Sequence, residues 1–110
     1  MGARFENLVA AHLLKEVPYQ QDAKGRDMEL QYFRDVDGRE VDFVLTERRK
    51  PILFLECNWG DADVAKALNY LKERFPTCNA IQIHATGNKD YETARGVRVM
   101  PAVDFLRTLV

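Results

Sequence analysis

Two acids set inside apolar runs constrain this chain more than any other feature. Residues 39–59 read REVDFVLTERRKPILFLECNW. With the period-two alternation of a strand, Val41, Phe43 and Leu45 take one face and leave Asp42 and Val44 on the other. In the second run Ile52, Phe54, Glu56 and Asn58 share a face, and Leu53, Leu55, Cys57 and Trp59 share the opposite one. Arg48-Arg49-Lys50-Pro51 is a polar break ending in a residue that cannot extend a central strand, so the two runs are expected to pair as a hairpin. Carboxylates on adjacent strands repel unless a proton or a cation lies between them. The expectation is a site in which Asp42 and Glu56 lie on one face, close enough to share an ion.

The flanking sequence supplies the rest of a sheet and its cover. Residues 4–15 read as an amphipathic helix with Phe5, Leu8, Val9, Leu13 and Leu14 as its buried stripe and Glu6 on the flank of that stripe. A flank glutamate ordinarily reaches out to water. Val17-Pro18 is expected to end this helix. No capping residue precedes Arg4, which suggests missing upstream sequence. Lys24, Gly25 and Arg26 make a small basic turn. A strand follows over 29–34 with Leu30 and Tyr32 on one side, and Asp37-Gly38 predicts a hairpin into the central stretch. Three sequential antiparallel strands then form a meander. Asp61 or Asp63 is expected to cap a second helix that runs to Phe75, buries Val64, Ala65, Leu68, Leu71 and Phe75, and stops at Pro76. A fourth strand over 80–85 carries Ile81 and Ile83 on one face and Gln82 and His84 on the other. Because it follows a helical crossover, it should lie parallel to an earlier strand. A polar loop over 86–96, a short strand over 97–100 and a helix from Pro101 to Val110 complete an α/β sandwich with a mixed sheet.

The chain has 110 residues, the size of one domain. It holds no apolar run near the roughly 20 residues that span a bilayer, and no apolar signal-peptide core near its start. Cys57 and Cys78 are its only cysteines, read as reduced thiols of a cytoplasmic protein without a membrane role. The net charge of −1 argues against an indiscriminate nucleic-acid coat, though not against a local basic rim. His12 and His84 lack metal-ligand spacing to a second His or Cys and read as structural or surface residues. Arg48, Arg49 and Lys50 are candidates for phosphate contacts, against the ordinary reading of a solvated hairpin turn. Trp59 is expected to pack on the sheet, with stacking on a base as the functional alternative. No phosphate-binding P-loop is present, so any ATPase activity lies outside this sequence.

Glu6 on the first helix, Asp42 on the second strand, and Glu56 two residues before Asn58 on the third form a pattern that resembles the PD-(D/E)XK nuclease superfamily. More narrowly, GARFENLVAAHLL, GREVDFVL and ILFLECNW look like the C-terminal domain of unknown function appended to many bacterial and archaeal AAA ATPases. The resemblance runs over nearly the whole chain. It implies a restriction-endonuclease-like fold in one domain over 1–110, a C-terminal fragment or shortened relative of an ATPase. It also implies a Mg²⁺ (or Mn²⁺) ion held by Asp42 and Glu56, with Glu6 approaching directly or through water and the Cys57 carbonyl adding an oxygen. Asn58 departs from the pattern, because the superfamily has a Lys there to orient the attacking water or stabilise the reacting phosphorus. In some members the following helix supplies that Lys, and Lys66 is the candidate here.

Two functions follow. One is a metal-dependent nuclease domain acting on DNA, with Asp42, Glu56, Asn58 and Lys66 as its catalytic set. The other is an inactive module of the same fold that binds nucleic acid or docks an ATPase partner in cis or in trans. Retention of all three acids favours the first; Asn58 and the near-neutral charge favour the second.

Overall fold

A computed structural model describes residues 2–109 of the chain. Its elements run α1 (Gly2–Lys24), β1 (Met28–Arg34), β2 (Glu40–Glu47), β3 (Lys50–Asn58), α2 (Lys66–Arg74), β4 (Asn79–His84), β5 (Tyr91–Glu92), β6 (Arg98–Pro101) and α3 (Ala102–Arg107). Six strands form one open mixed sheet in the order β1-β2-β3-β4-β6-β5. The expected meander is present, since β1–β2 and β2–β3 are antiparallel. The crossover through α2 returns β4 parallel to β3, and β6 lies parallel to β4. The final helix ends at Arg107 with Thr108 as its C-cap, short of the expected end at Val110, which itself lies outside the described residues.

Helices cover both faces. Phe5, Val9, Leu13 and Val17 of α1 pack with Leu45, Leu55, Cys57, Ile83 and the α3 residues Ala102 and Phe105. On the other face Leu68 and Leu71 of α2 pack with Val41, Val44, Phe54, Ala80 and Val97. Arg39 lays its guanidinium 3.9 Å from the Tyr70 ring centroid, which fastens the β1–β2 hairpin to α2. No helix among the described residues is long and apolar enough to cross a membrane.

Several expectations need correction. Helix α1 does not stop at Val17 but continues through Pro18 to Lys24. Proline removes the hydrogen bond to the carbonyl four residues back, that of Leu14. Leu14 and Pro18 are both exposed, so water can satisfy that carbonyl, and the buried Val17 and Gln20 carry the stripe onward. The true stop is Gly25, with φ +66° and its N–H on the Gln21 carbonyl at 3.2 Å. Leu8 and Leu14 are exposed, so the buried stripe is narrower than expected. Helix α2 starts at Lys66, and neither Asp61 nor Asp63 caps it. Phe75 is 39% exposed, with its ring against Phe54. The loop over 86–96 contains the extra edge strand β5, and the last strand and helix each begin one residue later than expected.

Two bulges break the simple alternation. Gln31 pairs with Val44 and Phe33 with Val41, so Tyr32 on β1 faces two residues, Asp42 and Phe43, on β2. As a result Val41 and Val44 both pack toward α2 while Phe43 and Leu45 pack toward α1. Tyr32 is exposed and does not join Leu30 in the core. The second shift lies between Leu45 and Thr46, where Thr46 pairs with Pro51. It turns Ile52 toward α1 and away from the face of Phe54.

Candidate functional site

Asp42 sits in the first bulge, where an added residue re-aims a side chain. Its Oδ2 accepts the N–H of Cys57 on the neighbouring strand at 2.9 Å. Reciprocally, the N–H of Asp42 donates to Oε1 of Glu56 at 3.2 Å. The regular register between β2 and β3 ends one pair earlier, at Phe43 and Leu55. Here the two carboxylates take the place of carbonyls as acceptors for the strand amides. The expected meeting of Asp42 and Glu56 therefore occurs through a bulge and two crossed hydrogen bonds, not through plain alternation.

The electrostatics follow from this geometry. Burial, followed by the hydrogen bond and charge of Asp42 and then the charge of Glu6, pushes the Glu56 carboxyl up to about 8. Glu6 is also raised, by partial burial and then by Asp42. The buried Cys57 thiol is pushed well above its usual range by burial and then by Asp42, Glu6 and Glu56, so it does not ionise as a nucleophile. No basic side chain is among the groups that set these values. Three acids on α1, β2 and β3 thus share one field, and Glu56 is the one driven furthest toward keeping its proton.

A hard cation would replace that proton. Among the described residues no group of three or more His, Cys, Asp or Glu side chains is gathered tightly enough to enclose a metal. Glu6 is within electrostatic reach of Asp42 but is not part of a closed cage. Two carboxylates and open solvent nevertheless fit Mg²⁺, which retains several waters and takes one or two carboxylates. The donors present are oxygens, which do not favour a soft metal.

The remaining candidates are placed unevenly. Asn58 is the last residue of β3, pairs in register with His84 on β4, and accepts the Ala85 N–H on its carbonyl at 3.0 Å. Lys66 is the exposed first residue of α2 and forms no ion pair among the described residues. Arg48, Arg49 and Lys50 lie at the β2–β3 turn, the opposite end of the hairpin from Asp42 and Glu56. Six to eight residues at about 3.3 Å each separate them from Glu56, roughly 20–26 Å. They form no common surface with the acids. Arg48 and Arg49 have φ of 53° and 67°, the left-handed pair of a tight two-residue hairpin turn.

Gln82 is a participant that strand alternation alone does not mark. It pairs with Glu56 in register and is almost fully buried. Its Oε1 accepts the Ala65 N–H at 2.9 Å, and its Nε2 donates to the carbonyls of Asp63 at 3.1 Å and Ala62 at 3.4 Å. It holds the segment from which Lys66 and α2 emerge. A lone polar residue in an alternating strand carries no signal for this role, because its partners lie about 20 residues away. His84 is likewise buried, with Nε2 2.7 Å from the Lys89 carbonyl, which fixes the loop after β4.

Residues 1–105 match the family model described as Domain of unknown function (DUF4143), and the chain belongs to that family. No curated protein and no solved structure matches the chain.

Proposed function

We propose that this member of the DUF4143 family is a Mg²⁺-dependent phosphodiesterase domain of the restriction-endonuclease-like type, acting on DNA in association with an ATPase module. The observation that carries this reading is the crossed pair Asp42–Glu56, two carboxylates that take strand amides as donors and form no ion pair among the described residues. A purely structural sheet has no need of that arrangement, since burying like charges together is unfavourable. An aliphatic pair at these positions would hold the strands at lower cost.

In the proposed reaction Asp42 and Glu56 would hold the ion, Glu6 would approach it directly or through water, and the Cys57 carbonyl would offer a further oxygen. The bound ion supplies charge to the phosphate and lowers the pKa of a water. Asn58 would donate a hydrogen bond to orient that water, without the charge that a Lys brings. Lys66 would supply the missing charge from α2, whose start is fixed beside β4 by Gln82.

Asn58 also favours a second reading, a non-catalytic module of the same fold that binds nucleic acid or docks an ATPase. Cleavage of single-stranded, double-stranded and branched DNA with Mg²⁺ or Mn²⁺ separates the two. Asn58→Lys is expected to raise cleavage by about 10²–10³, the usual worth of one charge-stabilising group. The gain should vanish in the Asp42→Ala background. Failure of both wild type and Asn58→Lys to cut any of these substrates would leave the binding-module reading.

A further inference from the structure

A second feature lies at the same end of β3 and is not used by the acids. Trp59 follows β3 directly, three residues beyond Glu56, and is 44% exposed. It is not a loosely held surface residue. Its carbonyl accepts three hydrogen bonds, from the Ala85 N–H at 3.1 Å, the Thr86 N–H at 3.0 Å and the Thr86 hydroxyl at 3.0 Å. Its ring meets Phe5 edge-on, with centroids 6.4 Å apart and planes at 79°. The backbone at Trp59 is thereby held, and the indole rests against Phe5.

It sits at the edge of a groove. An opening of about 550 Å³ runs between the start of α1, the loop after β4 and the start of α3. Phe5, Leu8, Trp59, Thr86, Val103 and Leu106 line it, with Arg4 exposed at its rim. Leu8 and Val103 are more than half exposed there. The groove opens beyond the carboxyl ends of the parallel strands β3, β4 and β6, where open α/β sheets bind ligands. The His84–Lys89 bond pins the loop forming one wall.

We infer that this groove takes an unpaired nucleobase of the strand whose phosphate lies at Asp42 and Glu56, with the base stacked on Trp59 and a neighbouring phosphate at Arg4. The inference rests on the proposed nucleic-acid substrate and narrows it to single-stranded or locally unpaired DNA. The apolar walls suit a base but not a phosphate, and Arg4 supplies the charge a phosphate needs. Three residues of strand separate Glu56 from Trp59, about 10 Å, which places the base one or two nucleotides from the phosphate under attack. An aromatic side chain is a sequence-tolerant platform for single strands. Regular duplex offers no free base face to such a platform.

The chain contains one tryptophan, so its fluorescence reads this groove alone. Ten-nucleotide single-stranded DNA should be titrated into the protein with Ca²⁺ in place of Mg²⁺, in parallel with an abasic oligomer of equal length and with duplex. Anisotropy of a label on each DNA reports binding independently. Saturable quenching by the single strand, with binding but no quenching by the abasic oligomer, is the expected result. Trp59→Ala should weaken single-strand binding by about 5- to 150-fold and leave abasic binding unchanged. Binding of the single strand without any change in indole emission would overturn the groove while leaving the proposed function intact. Absence of binding to every DNA would overturn both. Quenching without cleavage in Mg²⁺ would retain the groove and remove the phosphodiesterase.

Discussion

At the scale of single residues, Glu56 is the most informative position in the molecule. Its carboxyl group is raised from 4.5 to about 8, first by burial and then by Asp42. The folded state therefore keeps a proton that the unfolded chain releases, and stability falls as pH rises through that window. Glu56→Gln removes the titration while retaining a similar shape. Thermal melts between pH 4 and pH 9 should show the variant equal to wild type at the acid end and more stable above neutrality. The lowered carboxyls of Asp35 and Glu47 act in the opposite sense, but they are common to both proteins and cancel in the difference. A variant less stable than wild type at pH 8 would mean that the carboxylate itself holds the strands together.

At the scale of elements, the sequence patterns were legible wherever one rule acted alone. The Asp-Gly hairpin, the alternating strands, the parallel return of β4 and the pairing of the two apolar runs all appear as expected. The acids were legible too, because carboxylates in apolar strands are costly and stand out. What stayed hidden depends on competition between rules. Pro18 lies in α1 because its lost partner carbonyl faces water, a fact of packing that the local pattern does not contain. The bulge at Asp42 was masked because Val41, Phe43 and Leu45 read as a perfect alternation. Gln82 could not be recognised because its three partners belong to the turn before α2. That residue gives an element-scale test. Gln82→Ala leaves the Ala65 N–H and two carbonyls without their buried partner, and each such loss costs about 1–3 kcal/mol. Urea unfolding should show a loss of at least that size, and hydrogen exchange should quicken at 62–66 ahead of the strands. Uniform behaviour across the chain would show that α2 is positioned by Leu68 and Leu71 alone.

At the scale of the whole molecule, two cores on either side of one sheet bring α1 and the ends of β2 and β3 together. This places Glu6, Asp42 and Glu56 in one field and leaves the Trp59 groove beside them. The basic hairpin turn at the far end of β2–β3 lies outside that arrangement, so any nucleic acid held at the acids would rely on the ion, on Lys66 and on Arg4. The central claim is that the crossed carboxylates of Asp42 and Glu56 form a divalent-cation site. It is tested most directly by calorimetric titration of Mg²⁺ into the protein at pH 8, compared with Glu56→Ala. One saturable site per chain in the wild type, lost in the variant, is the predicted result. Equal heats in the two proteins, or no binding in either, would contradict it.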